Sequence, residues 1–409
     1  IFMGGYATTP ATAADLGGDC CADLEERVAE LEATTVRKKA RQLSMTISGR
    51  VHSAIMHWDD GGGDTSEYSD SDTVVAPGLA ASRIVVDGRA KLREGWEAGY
   101  RIGWEFVEEG RGIRAGHSSA TSGQQRPTSS SIEAYEAYWF IRGARVGAIS
   151  VGTRGQSYGG ASKVDISGRT GLVANADPRL YGGSIRFRTS SGTSTGLTLN
   201  PAFQVDDGDD GAGERSGVRY DSPTMGGFIL TADWVNKDFE EDVYGLRLSF
   251  ARQMGDFKVA AAAGWYQEEY VGHSDDSTSE HSGILGSIGI MHNPSGVFVN
   301  FGAGDVDYDA GDNDDASFWY ITAGLKRKWS DRGPTTIYAQ YYDSSDNSAA
   351  AADQADFDSS YWGFGIAQDF SAANMYLYAG YRSYETDAQV GGESLKDIDT
   401  FIFGGIVNF

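Results

Sequence analysis

The residues best suited to chemistry in this 409-residue chain are arginines that recur in one phase of short alternating runs. Arg50 alternates with Val51, Arg83 and Arg89 with Ile84, Val86 and Leu92, and Arg101 with Tyr100 and Ile102. A guanidinium keeps its charge and offers a rigid fork of donors, so a row of them selects and orients charged or dipolar molecules. Covalent chemistry has less support. The six histidines (His52, His57, His117, His273, His281 and His292) form no motif with Ser or Asp, and no Gly-x-Ser-x-Gly elbow is present. An enzyme is not expected. The run from Asp305 through Asp307 and Asp309 to Asp315 has the hard oxygen ligands that Ca²⁺ or Mg²⁺ prefers. It breaks the EF-hand pattern at Ala310 and Ala316, and reads equally as a solvated acidic loop. No other cofactor is expected. Cys20 and Cys21 are adjacent and have no downstream thiol to pair with.

The elements that carry these arginines are strands. From Leu43 onward the hydrophobic period is two: Met45, Ile47, Val51 and Ile55 alternate with Ser44, Thr46, Ser48, Arg50 and His52. Sixteen such runs begin near residues 43, 81, 95, 132, 144, 216, 227, 242, 256, 281, 296, 317, 334, 358, 374 and 398. Short connections alternate with mostly long ones, which predicts turns at one rim and loops at the other. The composition agrees, with 55 Gly and 21 Tyr but only 8 Pro, because proline cannot donate to a strand ladder. No run approaches the 18 apolar residues of a helical span. An even number of half-apolar strands with unequal rims predicts an all-β fold, a 16-stranded antiparallel transmembrane β-barrel. Trp58, Trp234, Trp329 and Tyr384, at strand ends, are expected in the interfacial girdles.

The first forty residues are different. Ala11-Thr12-Ala13-Ala14 reads as the cleavage site of an export signal or as part of an ordinary extension, so residues 1–14 are set apart. Residues 23–38 carry Leu24, Val28 and Leu31 at coiled-coil spacing, with acids early and Arg37 and Lys38 late, as the helix dipole favours. Arg27, Val28, Leu31 and Glu32 also resemble a short motif of three-stranded coiled coils. Packing on its own domain is the other reading of this helix. The expected organisation is a stalk over 15–42 and a barrel over 43–409, with a long loop over 154–215 after the fifth strand.

Several stretches together resemble the trimeric general porins of alphaproteobacteria, in the branch with an N-terminal coiled-coil segment. They are Ala14 through Thr35, Leu43-Ser44-Met45-Thr46-Ile47-Ser48-Gly49, Val218 through Phe228, and the terminal Phe409, which resembles a barrel-assembly signal. The resemblance implies a homotrimer in the outer membrane that passes small hydrophilic solutes and ions by passive diffusion. The coiled coil would then hang in the periplasm, and the loop after strand five would fold into the lumen. An alternative is a structural anchor whose coiled coil ties the membrane to peptidoglycan or other periplasmic proteins. In a trimer, Cys20 and Cys21 of neighbouring chains come close enough to cross-link; a bond between the two neighbours, or two free thiols, is equally open. Lipids and lipopolysaccharide are expected partners. Nucleic acid is not, given 34 Lys+Arg against 58 Asp+Glu and a net charge of −24.

The long loop holds seven acids and seven bases. Its carboxylates Asp165 and Asp177 are expected to face Arg50, Arg83, Arg89 and Arg101 across the lumen and set up a transverse field. Residues 58–80, 269–280, 305–316 and 344–357 hold nineteen acids and no Lys or Arg. Such a mouth attracts cations at low salt and is screened beyond about 8–10 Å at ordinary salt. The lumen arginines push the other way, so ion selectivity stays open at this point.

Overall fold

In the computed structural model the described residues are 43–62, 71–75, 82–108, 130–168, 182–183, 185–203, 215–236, 242–271, 278–308, 315–347, 352–353 and 356–409. Sixteen antiparallel strands form the wall. They are β1 (Leu43–Asp59), β2 (Arg83–Arg93), β3 (Trp96–Glu108), β4 (Ser130–Gly143), β5 (Gly147–Arg154) and β6 (Arg215–Asp221). Next come β7 (Phe228–Asn236), β8 (Asp242–Met254), β9 (Phe257–Val271), β10 (Thr278–His292) and β11 (Val297–Tyr308). The last five are β12 (Ala316–Ser330), β13 (Gly333–Asn347), β14 (Phe357–Phe370), β15 (Met375–Thr386) and β16 (Ile398–Asn408). Each pairs with its neighbours in sequence, and β1 pairs with β16 from Arg50↔Asn408 to Asp59↔Asp399, which closes the sheet. The closed sheet has no free edge, as a wall in hydrocarbon requires. Helix is confined, among the described residues, to single turns such as Leu199–Ala202. The coiled coil expected over 15–42, with Leu24, Arg27, Val28, Leu31 and Glu32, lies outside the described residues, as do Cys20 and Cys21.

Alternation sets the two faces. On β1, Met45, Ile47, Val51 and Ile55 are exposed on the outside, while His52, Ala54, Met56 and Trp58 are buried inside. A slip of one residue would put Arg50 in lipid and Ile47 in the lumen, so the register is strongly specified. The same phase rule corrects two of the girdle residues. Trp58 and Tyr384 are fully buried on the inner face, whereas Trp234 and Trp329 are exposed on the outside. Trp58 shares the phase of Arg50, eight residues earlier, and strand-end position alone did not reveal that. On β16, Phe401, Phe403 and Val407 face outward and Ile402 and Ile406 fill the inside. Phe301 lies in the middle of the outer band, opposite Ile288 on β10 and Ile321 on β12. Phe301→Arg should therefore cost about 2–4 kcal/mol of barrel stability, read as a lower denaturant midpoint in lipid.

Two devices shape the wall. At the tight rim, Gly255 takes φ 60° at the first central position of the two-residue turn between Met254 and Phe257, where a Cβ would be strained. On the inner face, rings lie flat over glycines of the adjacent strand: Tyr266 over Gly283, Tyr320 over Gly302 and Tyr338 over Gly365. Any side chain at those glycines would collide with the ring, so each pair covers the wall while keeping the ring out of the channel. Beyond Arg50, β1 pairs with the short strand Ser71–Val75 instead of β2. At the junction Ser82 Oγ accepts from the His52 amide (3.0 Å) and donates to its carbonyl (3.2 Å), patching the interrupted ladder.

Candidate functional site

The loop after β5 runs inside the barrel. Its described residues to Ser167 lie along the inner faces of β7 to β12. The Ser157 amide and hydroxyl donate to Asp233 of β7, the latter at 2.6 Å. Tyr158 stacks on Tyr266 of β9 with centroids 4.5 Å apart. Ser287 of β10 receives the Val164 amide (3.0 Å) and donates to the Ala161 carbonyl. Asn300 of β11 accepts from the Ile166 amide (3.0 Å), and Tyr320 of β12 donates to the Ser162 carbonyl (2.6 Å). Lys258 and Lys326 donate to the Ile166 and Ser167 carbonyls. A loop inside a barrel cannot pair its backbone as a strand would, and these inward polar side chains satisfy it instead.

The loop then returns to the long-loop rim. Arg186–Arg188 pairs with Ser194–Thr198 as a small hairpin. Ile185, Phe187, Leu197, Leu199 and Phe203 are buried, and Phe203 packs against Tyr342, Tyr361 and Tyr384 at 5.4–6.1 Å. A clasp holds the hairpin at the rim: Arg188 Nε lies 2.9 Å from Asp60 Oδ1, with side-chain exposures of 6% and 0%. The Lys396 amide donates to the Arg188 carbonyl (2.8 Å), and Lys396 Nζ reaches the Gly61 carbonyl (2.9 Å). Glu393 accepts from the Ser191 amide (3.0 Å) and hydroxyl, which hold its carboxyl below the usual range. These buried side chains form one packed cluster with the inner faces of β13 to β15. Arg382 belongs to that packing, fully buried with its guanidinium 4.4 Å from the Tyr361 ring centre.

The arginines of β1 to β3 face the docked loop, because β3 and β11 are eight strands apart in a ring of sixteen. Arg50 and Arg83 are cross-strand partners. Arg83 lies 3.9 Å from Glu105, and Arg101 lies 2.6 Å from Glu136 and 3.5 Å from Asp87. Arg89 is on the same face, two residues beyond Asp87 toward the tight rim, about 7 Å along the strand, and has no ion pair among the described residues. The carboxylates beside these arginines belong to the wall rather than to the loop. Inward residues of adjacent strands are neighbours at about 5 Å, whereas Asp165 is engaged by the Ser167 amide and hydroxyl and by Asn300 on the far wall. Asp177 lies outside the described residues.

Asp305 and Asp307 are exposed near the end of β11, in the phase of outward Phe301; Asp309 is outside the described residues. Among the described residues no group of three His, Cys, Asp or Glu is placed to hold a metal ion. Phe409 exchanges backbone hydrogen bonds with Gly49 (2.9 and 3.0 Å), and its ring crosses that glycine. The structure also adds Arg154, Arg219 and Arg247 to the inner face. Sequence reasoning missed Arg219 and Arg247 as lumen residues, although they alternate with outward Val218, Tyr220, Leu246 and Leu248. Arg154 was counted with the loop, but it ends β5.

Comparison with known proteins agrees with this geometry. Similar solved structures include an anion-selective porin from Comamonas acidovorans (13% identity, 90% of this chain and 100% of that one, TM-score 0.58). In vitro folded OmpT of Vibrio cholerae in its trimer form is similar too (13%, 90% and 99%, 0.55). So is the outer membrane channel DcaP of Acinetobacter baumannii (11%, 90% and 97%, 0.55). At such identities these likenesses speak for the fold alone. No curated protein matches the sequence. The family model for Gram-negative porins matches residues 6–389, nearly the whole barrel. With its closed sixteen-stranded wall and inward-folded loop, the chain belongs to the Gram-negative porin family.

Proposed function

We propose that this protein is a water-filled channel for the passive diffusion of small hydrophilic solutes and ions across the outer membrane. One observation carries the reading. The loop is held against β7 to β12, and the charged inner face of β1 to β4, with its interleaved arginines and carboxylates, lies across the lumen from it. Charged groups in that position orient water and dipolar solutes, and apolar solutes lose ordered water by passing them. The protein works as a homotrimer, with residues 15–42 as a coiled coil in the periplasm; the trimer form of OmpT among the similar folds supports the assembly. The tether reading rests on 15–42 alone, and nothing among the described residues favours it.

The test is conductance of the purified, folded protein in a planar bilayer. Current steps in groups of three are expected. A heat-modifiable barrel that gives no steps at all would overturn the channel reading.

A further inference from the structure

The ion pairs show how the inner-face arginines of β1 to β8 are compensated. On β1 to β4, Arg50, Arg83 and Arg101 are matched in number by Asp87, Glu105 and Glu136, and Glu136, next after the Ala137↔Thr153 pair, also stands near Arg154. A second group lies at the root of the inward loop, on β5, β6 and β8. There Arg219 donates from Nε and Nη2 to Asp221 (3.1 and 2.9 Å), and Arg154 Nη1 is 3.7 Å from the same carboxylate. Arg247 of β8 stands in register with Thr231 of β7, which stands in register with Asp221 and donates to it (3.0 Å). It has no carboxylate at ion-pair distance among the described residues, and donates to the Gly159 carbonyl (2.9 Å) and Ser249 Oγ (2.8 Å). Asp233 stands opposite Arg219 in register, but both its oxygens accept from Ser157. Three guanidiniums thus stand beside two carboxylates on their own and the intervening strand, Asp221 and Asp233, and Arg247 pairs with neither.

Two further features fit a ligand. Arg154 Nε is buried with no acceptor. Its guanidinium lies 4.5 Å from the Tyr138 ring centre, which fixes its plane, while Nη1 donates to Ser150 Oγ (2.6 Å). The Arg154, Arg219 and Asp221 side chains keep 21%, 18% and 27% exposure, so the cluster is open to small molecules but not freely solvated.

We propose that Arg154, Arg219 and Arg247 form an oxyanion-binding site on the solute path, for phosphate or carboxylate groups, apart from the Arg50–Arg83–Arg101 group. This rests on the channel reading. Forked guanidinium donors match the paired oxygens of these anions, which chloride lacks. The site holds an anionic solute at the root of the constriction and delays its passage.

The experiment measures chloride current through the full-length protein in planar bilayers while inorganic phosphate, or separately succinate, replaces chloride at constant ionic strength. Saturable block by phosphate, succinate or both is expected, and which of them blocks tells the preferred oxyanion. Arg247→Gln should weaken the block about tenfold, the change for one lost charge-assisted contact. Asp221→Asn should tighten it, because it removes a competing carboxylate. A misfolded barrel or a loosened loop would not give tighter block. Open channels with no block by either anion, or with equal block in Arg247→Gln, would overturn the site and leave the channel reading standing. Weaker block in Asp221→Asn would overturn it too. Absence of any channel would count against the channel reading instead.

Discussion

Replacing Ser287 by Ala and Asn300 by Leu together should raise single-channel conductance and make the open current noisy, with the barrel still folded. The two side chains satisfy the Val164 and Ile166 amides and the Ala161 carbonyl, and both are buried, at 7% and 2% exposure. Without them, three backbone groups stay buried and unpaired, or the segment leaves the wall to reach water. Each unsatisfied group costs about 1–3 kcal/mol. Three of them exceed 2.8 kcal/mol, roughly a hundredfold in the docked fraction. Tyr158 on Tyr266 and Ser157 on Asp233 still hold the root, so the loss falls on the stretch from Ala161 to Ser167, which keeps its bonds from Tyr320, Lys258 and Lys326 and fluctuates against the wall. Unchanged conductance and noise in a folded double variant would show that this stretch does not narrow the channel.

Asp60→Ala should detach the hairpin at the rim and expose Arg186 and Arg188 to trypsin in intact proteoliposomes. The Asp60–Arg188 pair is almost completely buried, and removing one partner leaves a charge without compensation, a loss of about 3–5 kcal/mol. The cost falls on the clasp rather than on the wall, so heat-modifiable migration on gels should persist. The pair itself adds little net stability, because desolvation offsets most of its attraction. Asp60→Leu with Arg188→Met should therefore restore resistance to trypsin at Arg186. If the double replacement is cleaved as fast as Asp60→Ala, the ion pair is required for its own geometry and the desolvation argument fails.

Much of the wall was legible in the sequence. The expected starts at 43, 242 and 398 coincide with those of β1, β8 and β16, and all the others fall within three residues. A strand between lipid and water must alternate, and sixteen repetitions of that constraint leave little freedom. The same alternation put Arg50, Arg83 and Arg101 on one inner face, and it would have placed Arg219, Arg247, Trp58 and Tyr384 there had it been applied to every strand. What it did not reach is the choice of partner. Asp233, Ser287, Asn300 and Tyr320 look like ordinary polar positions until the loop arrives beside them, and they meet residues 76 to 158 positions away in the chain.

The sequence by itself determined the fold class, the strand register and the inward phase of the charged residues, because period and polarity are local properties of a chain between two solvents. Only the tertiary structure decided which wall the loop docks on, where its hairpin packs, and which carboxylates each arginine meets. Those depend on closing the barrel. Closure brings β3 opposite β11, and the register of β5 against β6 sets Arg154 and Arg219 beside Asp221, contacts for which no spacing in the sequence gives a rule.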